Sequence, residues 1–165
     1  MNKLSILLQQ LHIEMNQAFS HADITRVVVH NDSRYTFYIS SPELMPLSNV
    51  KALKEAQHLF PYPCEFLFET TLNHFKKEDV IEYSEYIMHS LLGNVPEMQG
   101  MTKEDLDLKG DVLTLHTVNH IQCDSIKTQL PEMRSLLSGF GIDIDLRAEV
   151  DKDNHDYQQT IAKME

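Results

Sequence analysis

The sequence predicts an α+β protein built of two small units, each reading helix, strand, strand, helix and then strand, with the last helix doubled in the second unit. Three observations predict it. Apolar residues recur at helical spacing in some segments and alternate strictly in others. The same order of elements occurs twice along 165 residues, a length that fits two units of about 75–90 residues. Charge also steps near the middle: residues 1–75 carry five Lys/Arg and seven Asp/Glu, residues 76–165 nine and eighteen.

The first unit opens with Leu4, Leu7, Leu8 and Leu11, the stripe of an amphipathic helix. Ile24–His30 is β-branched and strand-like, and Asn31-Asp32-Ser33-Arg34 reads as a turn because Asn and Asp tolerate left-handed backbone. Tyr35, Phe37 and Ile39 then alternate with Thr36, Tyr38 and Ser40, completing a hairpin. Ser41-Pro42-Glu43 looks like a helix-start signal, with the regular helix beginning nearer Asn49. Val50, Leu53, Ala56 or Gln57, and Phe60 give that helix its apolar face, and Pro61 and Pro63 end it. Cys64–Glu69 is a third strand.

In the second unit Val80, Ser84, Ile87, Met88 and Leu91 share a helical face, with Gly93-Asn94 as the stop. A loose segment containing Pro96 and Gly100 leads to Leu106 and Leu108, which alternate with Asp105 and Asp107. Lys109-Gly110-Asp111 turns the chain into the strand Val112–His116. Ile126, Leu130, Met133, Leu137 and Phe140 are helically spaced, and Pro131 divides them into two short helices or one bent one. Ile142 to Val150 alternates with Asp143 to Asp151, the clearest strand of the chain. The boundary falls in Thr70–Glu78, giving domains 1–73 and 74–150, with 151–165 a polar tail or linker. A single domain with one shared sheet is the competing reading.

Composition narrows the function. Hydrophobic content of 42% with 24% charged residues is that of a globular chain. No apolar run approaches the roughly 18 residues of a membrane span, and Gln9-Gln10 interrupt the start where a signal peptide keeps its apolar core. Two cysteines, Cys64 and Cys123, make neither a disulfide scaffold nor a Cys-built zinc site, so a reduced cytoplasmic protein is the expectation. A net charge of −11 argues against general affinity for nucleic acid.

Residue chemistry offers no convincing active site and implies no cofactor or metal. His116 and His120 are four apart, but the first is placed near a strand end and the second in the loop after it. Asp143 and Asp145 read as the wet face of a half-buried strand in place of a two-metal site. Asp151–Asp156 imitates the start of a calcium loop but puts His155 at a ligand position and lacks the turn glycine. Cys64 has no obvious activating base, and no nucleotide-binding loop or hydrolase elbow occurs.

Three colinear stretches carry a resemblance: Ile6–Leu11 followed by Ile24–His30 and the Tyr35–Ile39 strand, then Leu108–Leu113, then Phe140–Asp145 with Leu146–Glu149. In this order and spacing the chain resembles, over roughly residues 4–150, the N-terminal region of PolC-type DNA polymerase III alpha subunits of low-GC Gram-positive bacteria. The family commonly carries a Trp in the second hairpin strand, where this sequence has Thr36 and no Trp anywhere. The resemblance implies a parent DNA-directed DNA polymerase with an OB-fold, a 3′–5′ exonuclease, a PHP domain and a palm, none of whose catalytic motifs map onto this segment. It also implies a first domain like the C-terminal domain of the clamp-loader tau subunit. The second would be like a type II KH domain, whose order is α-β-β-α-α-β.

A KH domain clamps single strands with a G-x-x-G loop between its paired helices. The matching stretch here is Thr128-Gln129-Leu130-Pro131, without glycine and with Lys127 and Arg134 as the neighbouring cations. The sequence therefore points to a non-catalytic protein-docking module. Its expected partner is the tau subunit, another replisome protein or the rest of its own polymerase. The alternative is a single-stranded nucleic-acid module contacting through Lys127, Thr128, Gln129, Leu130, Pro131 and Arg134. The exposed faces nearest the two hairpins are the expected interface.

Overall fold

The computed structural model describes residues 2–71 and 75–151. It contains two separate three-stranded sheets, which excludes one shared sheet and supports the mixed α/β class. Contacts divide the chain into two units. The first holds the residues up to Asp79 together with Leu137–Ile142, and the second holds Val80–Leu136 and the chain from Asp143.

In the first unit, α1 (Lys3–Gln10) starts on Asn2, whose side chain accepts the Ser5 N–H at 2.8 Å. Its Leu4, Leu7 and Leu8 are buried. The helix ends with the N–H of Ile13 on the Leu8 carbonyl and that of His12 on the Gln9 carbonyl, a Schellman arrangement with His12 at φ 58° in place of glycine. A four-residue helix, α2 (Gln17–Ser20), follows; it is too short to show an apolar stripe, and Asn16 caps it by accepting the Phe19 N–H.

β1 (Asp23–Val29) pairs antiparallel with β2 (Tyr35–Ser41), and β2 pairs in parallel with β3 (Cys64–Thr70), so β2 is central. In the hairpin turn the left-handed residue is Ser33 at φ 66°, whereas Asp32 accepts the Arg34 N–H. The expected helix start at Ser41–Glu43 does not form: Ser41 ends β2, still paired with Thr70, and Pro42-Glu43 bend away from the strand. The helix itself, α3 (Leu47–Ala56), begins after Pro46 and buries Leu47, Val50 and Leu53 against the sheet's apolar face with Phe37, Ile39, Phe66 and Phe68. At about 25 cal/mol per Å² of apolar surface, each fully buried Leu or Phe contributes about 1.5–3 kcal/mol.

The second unit repeats this topology. α4 (Lys77–Tyr86) continues as one π-turn, Ile87–Leu91, closed by Leu92 N–H on the Ile87 carbonyl. The segment read as loose contains α5 (Pro96–Gln99), with Pro96 at its first position, and a 3₁₀ turn Lys103–Asp105 under a Thr102/Asp105 capping box. β4 (Leu106–Lys109) and β5 (Val112–Thr117) form a hairpin around Gly110 at φ 61°, and β6 (Asp145–Val150) joins β5 in parallel.

β6 is shorter than the Ile142–Asp151 alternation suggested. Its register with β5 begins at Asp145 opposite Val112, so Ile142 and Ile144 bury their side chains without a ladder neighbour. α6 (His120–Lys127) and α7 (Leu130–Gly139) resolve the bent-or-broken alternative: there are two helices, and the break is at Thr128-Gln129. Pro131 lies in the first turn of α7, where its missing N–H is harmless. His120 is the first residue of α6, so its expected place in a loop is corrected.

Candidate functional site

The cations singled out in the sequence sit on one groove of the second unit. It has a volume of about 440 Å³ and is lined by Lys127, Leu130, Pro131, Arg134, Asp145 and Leu146. Arg134 is held 3.1 Å from Asp145 and 4.0 Å from Asp143. Those two aspartates therefore flank a guanidinium, and Asp143 precedes β6 instead of lying on its wet face. Thr128 donates its hydroxyl to the Ser125 carbonyl at 2.6 Å, and Gln129 donates to Thr128 at 3.3 Å. The loop's polar groups are thus spent locally, and the groove's positive charge is matched by carboxylates. Phosphate binding requires uncompensated positive charge.

Elsewhere in that unit His116 lies on β5 and His120 on α6. Among the described residues no three His, Cys, Asp or Glu side chains gather as a metal site. The calcium-like stretch from Lys152 on lies outside the described residues. Val118 and Ile121 are exposed, Ile121 at 83%, but Val118 follows the end of β5 and Ile121 lies on α6, away from the Gly110 turn. The second hairpin turn itself is polar.

The first unit presents a different surface. Because side chains alternate across a strand, Tyr35, Phe37 and Ile39 share one sheet face with Val27 and Val29, which stand opposite Phe37 and Tyr35. Tyr35 stacks on Tyr62 with centroids 5.3 Å apart, and Phe60 meets Tyr35 and Phe37 edge-on at 5.1 and 5.3 Å. Phe66 continues the row at 5.7 Å from Phe37. The Pro61–Pro63 loop carries Tyr62 into place, with Pro63 accepting the Tyr35 N–H at 2.8 Å. Toward Ile39 and Phe68 this face is buried by helices, but toward the hairpin turn it is open. Val27 is 40%, Val29 57% and Tyr62 47% exposed, and Leu59, next to Phe60 in sequence, is also exposed. Val27, Val29 and Tyr62 around Tyr35 exceed the scatter of single exposed residues.

The residues flanking this patch are subdued electrostatically. Cys64 is half-buried at the start of β3, and burial pushes its thiol pKa up, away from a reactive thiolate. Lys54 on α3 has its pKa pushed down by burial, opposed by the carboxylate of Glu65, and its ammonium lies 5.3 Å from the Phe140 ring. An open cleft of about 390 Å³ lies on the same unit, but its titratable lining is only His21 and Glu43, and the Ser41 hydroxyl there donates to the Glu43 carbonyl.

Sequence reasoning placed the interface near the hairpins without naming Val27, Val29 or Tyr62. The Val27-Val28-Val29 run was the available signal. It reads as a hairpin strand, and only the sheet order shows that β1 is an edge.

Fold and surfaces together define a mixed α/β chain with a partly uncovered aromatic face and a charge-compensated groove. Residues 3–58 match the family described as DNA polymerase III polC-type N-terminus I. That span, about a third of the chain, runs from α1 to the turn after α3. No curated protein matches the chain. Among the described residues no helix is long and apolar enough to cross a membrane.

Proposed function

We propose that this chain is a non-catalytic docking module that positions a PolC-type replicative polymerase within the replisome, with the clamp-loader tau subunit as its first partner. The observation that carries the reading is the open end of the aromatic face, with Val27, Val29 and Tyr62 exposed around Tyr35 and Phe60. Interfaces concentrate their binding energy in such aromatic anchors. The domain limits 1–73 and 74–150 belong to the same reading, and the first domain carries the docking face. The second domain is a KH-like frame: the run β4-β5-α6-α7-β6 supports that likeness, with the extra helix α5 between α4 and β4. Its helix junction has no glycine, and Arg134 is engaged by two aspartates, which favours a protein partner over a single strand.

Isothermal titration of the chain against purified tau, at two salt concentrations and beside a single-stranded oligonucleotide, tests this. Saturable heat with tau alone supports docking. Steeply salt-dependent heat with the oligonucleotide alone contradicts it and favours the single-strand alternative through Lys127 and Arg134.

A further inference from the structure

Four strand edges border the two sheets, and they differ in chemistry. β4 has four residues and carries Asp107 and Lys109, 3.7 Å apart. β6 places Arg147 against Glu149 at 2.9 Å. The edge of β3 is approached by the chain: a Cβ on Gly141 would meet the Phe68 carbonyl at 3.2 Å. Charge and cover are how proteins protect sheet edges. β1 has neither along Val27-Val28-Val29.

The direction of the β1 backbone groups follows from two bonds. His30 N–H bonds to the Arg34 carbonyl at 2.8 Å, so His30 faces β2, and Tyr35 N–H turns the other way, to Pro63. Inward and outward groups alternate along a strand. Val28, opposite Thr36, therefore faces inward, while the N–H and C=O of Val27 and Val29 face outward.

We propose that the partner docks by adding an extended strand to β1, pairing with the outward backbone groups of Val27 and Val29. This rests on the docking reading above and specifies its occupant. The strand's chemistry is set on both faces. Residues two apart on one side would lie beside Val27 and Val29 and extend the apolar face, so they are apolar. On the other side the nearest charged group is Arg26, exposed and stacked 4.0 Å over the Tyr38 ring, so the matching position on the partner is acidic. The bulge between Ile24 and Arg26 limits the added ladder to the Val27–Val29 end.

Amide hydrogen exchange of the full chain, free and with purified tau, reads this directly. The expected result is that the Val27 and Val29 amides exchange freely alone and at least tenfold more slowly in the complex. V29P, which removes an outward donor and no bond to β2, then weakens binding at least tenfold while its melting temperature stays within a few degrees. R26E weakens binding severalfold. If tau binds but the two amides stay unprotected and V29P binds normally, strand addition is overturned and docking stands. If tau does not bind, the docking reading fails and takes this inference with it. A dimer of the chain alone that V29P dissolves would also overturn it, assigning the edge to a second copy.

Discussion

Thr36 donates its hydroxyl to a Glu65 carboxylate oxygen at 2.9 Å across the parallel β2–β3 pair. Thr36 is only 2% exposed, so the sheet face that alternation would leave wet is closed at this point. His30 Nε2 lies 2.9 Å from the same hydroxyl oxygen. A threonine has one hydroxyl proton, and it is given to the carboxylate, so the imidazole must supply the proton of the second bond. The three groups form a polar relay between β2, β3 and the end of β1.

Thr36→Val removes the donor to Glu65 and the acceptor for His30 together. The expected loss is about 1–3 kcal/mol, the usual penalty for stranding buried polar groups. Nitrogen NMR of the wild-type chain at high pH should find neutral His30 protonated at Nε2; an Nδ1-protonated ring would contradict the relay. Denaturant unfolding of the variant checks the energetic half.

His12 occupies a left-handed position at the end of α1 that glycine takes without steric penalty. His12→Gly should raise stability by about 0.5–1 kcal/mol, the relief of left-handed strain less the added freedom of the unfolded chain. An urea midpoint that falls would show that the His12 side chain contributes more than its backbone loses.

Lys54 binds its proton less tightly in the folded chain than the ordinary lysine value, chiefly through burial. Below its unfolded pKa the unfolded chain therefore holds more protons, and the contribution of Lys54 to stability rises as pH climbs toward 10.5. Lys54→Met should melt higher than wild type at pH 7, and this lead should shrink toward pH 10. Half-exposure and salt screening keep the effect below about 1 kcal/mol. A lead that grows with pH would contradict the sign.

Cys64 and Cys123 should separate under alkylation. Burial raises the Cys64 thiol pKa, so at pH 7.5 it reacts with iodoacetamide more slowly than a free thiol and accelerates as pH rises. Cys123 is 3% exposed and reacts only as the second unit opens. Mass spectrometry of peptides from a time course distinguishes them. Faster reaction at Cys123 would contradict its burial.

Much of the fold was legible because periodicity is a local property. The Leu4–Leu11 stripe, the Tyr35–Ile39 alternation and the Lys109–Asp111 turn each became the expected element. What lay beyond reach was shorter than a period or longer in range than a window. α2 and α5 have four residues each, too few for a helical stripe. The alternation of Ile142–Val150 was real, but only from Asp145 does β5 supply a neighbour.

The candidate site was legible in neighbourhood only. Nothing in the chain order says that Arg134 meets Asp143 and Asp145, since a helix-to-strand approach creates that pairing. Val27 and Val29 look like core residues by type. Their exposure follows from β1 being an edge, a fact of sheet order.

The most direct test of the central claim is the affinity of tau for the full chain carrying V27S and Y62S together, against wild type in one titration series. Both side chains are exposed, so the variant should keep its fold by circular dichroism. The account predicts at least a tenfold weaker dissociation constant, from loss of aromatic and aliphatic contacts worth about 1.4 kcal/mol or more. Wild-type affinity in the double variant would place the partner elsewhere and contradict the docking face.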